Sequence, residues 1–173
     1  MTRSLLAIVL TGWSVGVASP LWAADTVELT TRVSGVVDQV LVKAGQRVSK
    51  GTVLLRLDKT ILQARLDEAS AEYARAQADE ADAKRELDRA QEMFNRTVSS
   101  TSELEAATLR HARAQAGLSA ANARRVIAQQ NLNDAELKAP FDGVVERVSG
   151  APGLVVAAEC QPKTLVVMKA GRL

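Results

Sequence analysis

Hydrophobic and polar positions alternate along this chain with two different periods. Residues 26–57 consist of short strand-like runs, and at their start Val27, Leu29, Thr31 and Val33 alternate with polar neighbours, which is the period of a β-strand with one buried face. Between residues 58 and 137 the apolar positions instead recur at alternating steps of four and three, the heptad period of paired helices. Strand-like runs return at residues 143–148, 154–157 and 165–168. The pattern predicts an α+β protein in which a long helical segment separates two β segments.

The helical segment is predicted to reverse direction and form an antiparallel hairpin. Residues 97–102 contain three β-branched residues and three serines, which disfavour helix continuation. Asp58 fits the N-cap of the first helix, and Ser102 with Glu105 fits a capping box that starts the second. We therefore expect helices over about 58–97 and 103–137 with a tip over about 98–102. At 1.5 Å per residue each helix would be about 55–60 Å long.

Each predicted helix has one apolar stripe, or seam, that would face the other helix. Three polar residues interrupt these seams, and such weak positions favour support from neighbouring chains. We interpret His111 as an interface or partly exposed histidine rather than a metal ligand. The first seam consists of Leu62, Leu66, Ala69, Tyr73, Ala76, Glu80, Ala83, Leu87, Ala90 and Phe94. The second consists of Leu104, Ala107, His111, Ala114, Leu118, Ala121, Arg125, Ala128, Leu132 and Ala135. On the outer face two ion pairs are predicted, Glu80 with Lys84 and Glu92 with Arg96.

Residues 1–24 have the layout of a secretory signal peptide. Arg3 precedes an apolar stretch over residues 5–17, and the small residues Ala23 and Ala24 offer a cleavage site. The apolar stretch is shorter than the ~20 residues that span a bilayer, so cleavage is favoured over an uncleaved membrane anchor. The mature chain is expected in an extracytoplasmic space.

Composition argues against several classes of function. The net charge of the 173 residues is +2, with no basic run that would indicate nucleic-acid binding. Cys160 is the only cysteine, so no intrachain disulfide can form, and a buried small apolar role is expected for it. With one histidine, no phosphate-binding glycine loop and no cluster of metal ligands, we predict no enzymatic activity, cofactor or metal.

Glycines mark corresponding turns in the two β segments. Gly35 and Gly45 are ten residues apart in the first segment, and Gly143 and Gly153 have the same separation in the second. Gly51 fits a further turn, because glycine tolerates positive φ. Pro140 would end the second helix region, since proline lacks a backbone N–H. Residues 25–57 and 138–173 are therefore expected to form the two halves of one β body.

Two runs and the hairpin tip carry a resemblance to a known family. Residues 33–54 contain V-S-G-V-V followed by G-Q-R-V-S-K-G-T-V-L, and residues 137–145 read L-K-A-P-F-D-G-V-V. Arg89, Met93 and Ser100 lie at the predicted tip with spacings of four and seven. The chain resembles the membrane fusion proteins, the HlyD-like periplasmic adaptors of tripartite efflux and secretion systems. The resemblance implies a lipoyl-like β barrel-sandwich hybrid built from two half-motifs, with an inserted α-helical coiled-coil hairpin.

The resemblance also implies a function. The chain would link an inner-membrane transporter, of the resistance-nodulation-division (RND) class or else an ABC transporter, to a TolC-type outer-membrane channel. Arg89, Met93 and Ser100 would dock on that channel, with Met93 replacing the leucine that the family has there. Copies would assemble as a hexamer or a trimer of dimers in the periplasm of a Gram-negative bacterium. The resemblance covers residues 26–170, and we expect a short form without the family's β-barrel and membrane-proximal domains, which leaves pump contact open.

Two other functions fit parts of the pattern. A structural coiled-coil scaffold, or a truncated adaptor fragment without a transport role, would share the hairpin. A biotin or lipoyl carrier would share the β halves, and Lys59 in Asp58-Lys59 faintly resembles a modified lysine. The hairpin occupies the turn on which a carrier presents its lysine, so the carrier function is the remotest alternative.

Overall fold

A computed structural model describes residues 26–98, 100–158 and 163–171. The predicted signal peptide and Cys160 lie outside these residues. Within them the chain forms eight β-strands and two α-helices. The strands are β1 Thr26–Leu29, β2 Gly35–Val40, β3 Arg47–Val48, β4 Val53–Leu57, β5 Glu136–Lys138, β6 Gly143–Val148, β7 Val155–Val156 and β8 Val166–Ala170. The helices are α1 Thr60–Asn95 and α2 Thr101–Asn133.

The strands form two four-stranded sheets, and each sheet contains strands from both sides of the hairpin. The orders are β1-β8-β6-β3 and β5-β4-β2-β7, with antiparallel neighbours throughout. Because each sheet needs both chain segments, the two halves fold as a single β body. The predicted α+β class, with a hairpin inserted between two β halves, is confirmed.

The two halves repeat the same local structure. Strand β2 reads G-V-V-D-Q-V and β6 reads G-V-V-E-R-V, and each has a register irregularity after its third residue. Gly45 and Gly153 each have φ of +83°, which suits glycine because it has no Cβ. The short strand after each of these turns crosses to the other half: β3 pairs with β6, and β7 pairs with β2. Neither half can therefore complete its sheet alone.

The core of the β body is aliphatic and comes from both halves. Its most deeply buried side chains are Leu54, Leu55, Leu57, Leu165, Met168, Val37, Val145 and Val166. The hairpin contributes Leu62 from the first turns of α1, and Ala135 follows the end of α2. This shared core anchors the base of the hairpin to the sheets.

Helices α1 and α2 pack along the predicted seams. Every seam residue is buried or half-buried except Phe94, at the far end of α1, which is 38% exposed. Beyond Leu62 at the base, the buried positions along the two helices are alanines: Ala69, Ala83, Ala107 and Ala121. Small side chains let the two backbones approach closely. A helix of 36 residues rises by about 54 Å, so the hairpin projects well beyond the β body.

The polar seam residues find partners within the hairpin. The Nε2 atom of His111 lies 3.0 Å from Oε1 of Glu80, and the Arg125 guanidinium lies 4.5 Å from the centre of the Tyr73 ring. His111 is thus an interface histidine, as predicted. The expected pair of Glu80 with Lys84 is wrong, because Glu80 turns toward the seam and Lys84 pairs with Asp88 at 3.0 Å. The other expected pair, Glu92 with Arg96, is confirmed at 3.1 Å.

The capping box of α2 lies two residues earlier than the sequence suggested. Ser100 is the N-cap: its Oγ accepts a hydrogen bond from the Glu103 backbone N–H, and the Glu103 carboxylate accepts one from the Ser100 N–H. The prediction of Ser102 with Glu105 is wrong, although both pairs have the same spacing. The reversal of the chain decides between them, because α1 ends at Asn95 and Thr97 adopts φ of +61°. Helix α2 can then start at Thr101.

The start of α1 also differs by one residue. Lys59 is the N-cap by backbone geometry and makes no side-chain cap. Asp58, the predicted N-cap, lies just before it, and its Oδ1 accepts hydrogen bonds from the Thr60 backbone N–H at 2.8 Å and the Thr60 hydroxyl at 2.7 Å. These hydrogen bonds lower the pKa of Asp58 below its usual value.

Candidate functional site

The far end of the hairpin holds two of the three predicted docking residues on one surface. Arg89 and Met93 lie one turn apart on α1 and line a cleft of about 320 Å³ between the helices. Glu86 from α1 and Arg110 from α2 line the same cleft and form an ion pair across it. The Glu86 hydrogen bond raises the pKa of Arg110 above its usual value.

Arg89 is exposed and has no hydrogen bond or ion pair within the described ranges. The nearby Glu86 carboxylate is already paired with Arg110. The Arg89 guanidinium, which carries five N–H donors, is therefore available to an acceptor on another molecule.

Apolar side chains are exposed around the turn that closes the hairpin. Met93 is 42% exposed, Phe94 38% and Val98 71%. Phe94 occupies the last predicted seam position of α1, where the opposing helix no longer covers it. The heptad spacing placed Phe94 inside the seam and indicated no role for Val98. The nearness of both residues to the predicted turn was the signal that could have indicated their exposure.

Ser100, the third predicted docking residue, lies in the turn but does not line the cleft with Arg89 and Met93. Its Oγ accepts the Glu103 backbone hydrogen bond at 3.3 Å. Its hydroxyl hydrogen can still donate to another molecule, but the oxygen has a structural role. Any substitution of Ser100 therefore changes the cap of α2 as well as the surface.

A second polar cluster, which the sequence pattern did not indicate, joins the hairpin to the β body. Glu136 at the start of β5 accepts a hydrogen bond from Lys59 Nζ at 2.7 Å and lies within 3.5 Å of Arg56 and 3.3 Å of Lys138. The Lys59 hydrogen bond is the main cause that lowers the pKa of the Glu136 carboxyl. Lys59, the candidate carrier lysine, is thus half-buried in an ion pair at the base of the hairpin.

The described residues offer no sign of metal or membrane-spanning structure. Across 26–98, 100–158 and 163–171, no group of three or more histidine, cysteine, aspartate or glutamate side chains could hold a metal ion. In the same ranges, neither helix is apolar enough over a sufficient length to cross a membrane.

The fold and the tip together define a class of protein. It is a barrel-sandwich hybrid whose two halves are separated by a long helical hairpin with an exposed polar and apolar tip. The model of the family described as "CzcB-like, barrel-sandwich hybrid domain" matches residues 25–164, and the chain belongs to this family.

Curated relatives carry names from efflux systems. The chain is 33% identical over 145 residues to the efflux pump periplasmic linker BepF of Brucella suis, covering 84% of this chain and 35% of that protein. It is 30% identical over 154 residues to the multidrug resistance protein MdtA of Cronobacter turicensis, covering 83% of this chain and 37% of that protein. The chain thus spans little more than a third of the length of these two relatives.

A solved structure has the same fold. The crystal structure of ZneB from Cupriavidus metallidurans superposes with a TM-score of 0.61 at 21% identity. The match covers 85% of this chain and 62% of that one.

Proposed function

We propose that the chain is a periplasmic adaptor of an efflux system, with its hairpin directed toward an outer-membrane channel of the TolC type. The observation that carries the proposal is Arg89, which is exposed and has no ion pair among the described residues, beside the exposed Met93 at the far end of the rod. The names of the relatives, an efflux pump periplasmic linker and a multidrug resistance protein, support the same role.

The proposed contact combines three kinds of interaction at the tip. Arg89 would donate to carbonyl or carboxylate oxygens of the channel, Met93 would fill an apolar gap between its helices, and the Ser100 hydroxyl would donate one further hydrogen bond. A rigid rod with such a tip needs no catalysis. Its task is to hold two envelope components at a fixed separation.

We further propose a cellular place and partners for the chain. Residues 1–24 would direct export to the periplasm of a Gram-negative bacterium. An RND transporter is the first candidate for the inner-membrane partner and an ABC transporter the second. Copies of the chain would assemble as a hexamer or a trimer of dimers around the transport path.

Charge reversal at the tip tests the channel contact. Arg89→Asp removes the exposed donor without breaking any ion pair among the described residues. Photo-crosslinking from the tip to the channel and drug tolerance should therefore both fall to the level of cells without the adaptor. Arg113→Asp is the matched control, because Arg113 is also exposed and has no ion pair among the described residues. Its crosslinking and tolerance should match those of the unaltered chain.

Unchanged crosslinking in the Arg89→Asp variant would overturn the docking role and favour a scaffold or an adaptor fragment without transport. The carrier alternative makes a separate prediction. If the chain were a carrier, mass measurement of the purified chain and its Lys59 peptide would show a lipoyl or biotin adduct. We expect no adduct, because the Lys59 amine is held in an ion pair with Glu136.

A further inference from the structure

The hairpin tip carries a thioether that solvent can reach. The chain has three methionines, of which Met1 lies outside the described residues. Met168 is fully buried in the core of the β body, whereas Met93 is 42% exposed and lines the cleft between the helices. The two described methionines therefore differ in access, and a small reagent in solution meets the sulfur of Met93 first.

Access to solvent determines the chemistry of a methionine. Its thioether is soft and polarisable, and peroxides convert it to a sulfoxide. The sulfur attacks one oxygen of hydrogen peroxide, and an S–O bond forms as the O–O bond breaks. The second oxygen leaves as water with the proton of the transferred oxygen, so the sulfur loses two electrons and the peroxide gains them. The polar product is reversible, because methionine sulfoxide reductases return it to the thioether.

The charged groups around Met93 leave one hydrogen-bond donor available to such a product. Two carboxylates line the same cleft, but Glu86 is paired with Arg110 and Glu103 takes part in the capping box of α2. Arg89 lies one turn before Met93 on α1, is exposed, and has no ion pair or hydrogen bond within the described ranges. A sulfoxide oxygen on Met93 is a stronger acceptor than the thioether sulfur, and the Arg89 guanidinium lies within its reach.

We propose that Met93 is a reversible oxidation site that controls the contact between the tip and the outer-membrane channel. The inference rests on the proposed docking of the tip and names the regulation of that site. In the reduced chain Met93 fills an apolar gap, and Arg89 donates to the channel. After oxidation the side chain is polar and its oxygen accepts from Arg89, so one reaction weakens both parts of the contact.

Peptide masses test the modification itself. The full chain, with Cys160→Ser to remove the thiol that would also react, is treated with hydrogen peroxide and digested with trypsin. Met93 and Met168 then lie in separate peptides, residues 90–96 and 164–169. We expect one added oxygen in the first peptide and none in the second, whereas both should react in the denatured chain. Equal oxidation of both peptides in the folded chain, or an unmodified first peptide, would overturn the proposal.

Photo-crosslinking tests the consequence for the channel contact. A photo-crosslinking residue replaces Val98, which is 71% exposed at the tip, and outer-membrane vesicles supply the TolC-type channel. Peroxide is removed before the vesicles are added, so that the adaptor alone is oxidised. Crosslinking should fall about tenfold after oxidation, because a polar group then enters an apolar gap. Treatment with methionine sulfoxide reductases should restore it, and crosslinking that oxidation leaves unchanged would overturn the regulation.

Two substitutions at position 93 separate the sulfoxide from other oxidative damage. Met93→Leu has a similar volume but cannot form a sulfoxide, so its crosslinking should be the same before and after peroxide, whatever its starting level. A loss in this variant would assign the effect to another group and contradict the role of Met93. Met93→Gln places an amide oxygen near the position of the sulfoxide oxygen and should lower crosslinking without peroxide. Full crosslinking by Met93→Gln would count against the proposed effect of polarity.

These outcomes also distinguish the oxidation site from the docking role. If Arg89→Asp abolishes crosslinking but peroxide has no effect on the unaltered tip, the channel contact stands and its regulation fails. If the untreated chain does not crosslink at all, the docking role fails, and the regulation fails with it. The peptide masses then still decide whether Met93 is the site of selective oxidation.

Discussion

Gly143, the first residue of β6, lies against the backbone near the end of β8. A Cβ at this position would overlap the backbone carbonyl oxygen of Lys169 and press against the Phe141 ring. Gly117 is the opposite case, since it lies within α2 and a Cβ added there would meet nothing within 4 Å. Packing therefore requires glycine at position 143 in the sheet, whereas it places no such requirement on position 117 in the helix.

Replacing each glycine by alanine should change stability in opposite directions. Gly143→Ala forces two strands apart and should destabilise the chain by about 1–3 kcal/mol. Gly117→Ala should stabilise it by about 0.5–1 kcal/mol, because alanine loses less backbone entropy in a helix. Chemical denaturation measures both, and a Gly143→Ala variant as stable as the unaltered chain would contradict the close approach.

At the scale of elements, the reversal between α1 and α2 depends on the backbone conformation of the turn that joins them. The Thr97 N–H donates a hydrogen bond to the Phe94 carbonyl, and the Val98 N–H donates one to the Met93 carbonyl. This pair of hydrogen bonds defines a Schellman motif at the end of α1. Glycine usually occupies the left-handed position of this motif, but here it is Thr97, a β-branched residue at φ of +61°. The turn is thus locally strained next to the proposed docking residues.

Thr97→Gly should relieve this strain and stabilise the hairpin by about 1 kcal/mol. Thr101→Gly is the control, because it places glycine in the first turn of α2 and should destabilise. Thermal unfolding followed by circular dichroism gives both values. A lower melting temperature for Thr97→Gly would show that the threonine side chain makes a contribution that outweighs its backbone strain.

At the scale of the whole molecule, Glu136 connects the hairpin to the β body. Its carboxylate, with a side chain 19% exposed, is close to cations from before α1, from β4 and from β5. The lowered pKa of Glu136 means that the ionised form is favoured in the folded state. This stabilisation is present above the carboxyl's ordinary pKa and is lost as the pH falls through the lowered folded value.

Glu136→Gln should therefore reduce stability at neutral pH by roughly 1 kcal/mol, a modest value because the three cations are partly exposed. The difference from the unaltered chain should shrink as the pH falls below about 4.5. Glu146→Gln, at an exposed carboxylate of β6, serves as the control. Denaturation curves that stay equally far apart at pH 7 and pH 3 would exclude the proposed linkage.

The amino-acid sequence alone indicated the two helices and most of the strands in their order, but it missed β5, because Glu136–Lys138 covers the end of the stretch predicted as the second helix. Heptad spacing gave the seams of both helices, and alternating strands with paired glycines gave the two β halves, because these patterns depend on residues near one another in the chain. The break in the heptad pattern at residues 97–102 indicated the tip, and the family resemblance singled out Arg89, Met93 and Ser100 beside it.

Which groups meet is set by the folded chain. The exchange of β3 and β7 between the halves, the Glu136 cluster, the partner of Glu80 and the choice of Ser100 over Ser102 as the cap all depend on contacts set by chain reversal. Such choices are close in local energy: two serines have equally spaced glutamates, and Glu80 has a lysine one turn away on its own helix but pairs with His111 of the other helix. The neighbours that packing supplies decide between them, and sequence spacing does not specify those neighbours.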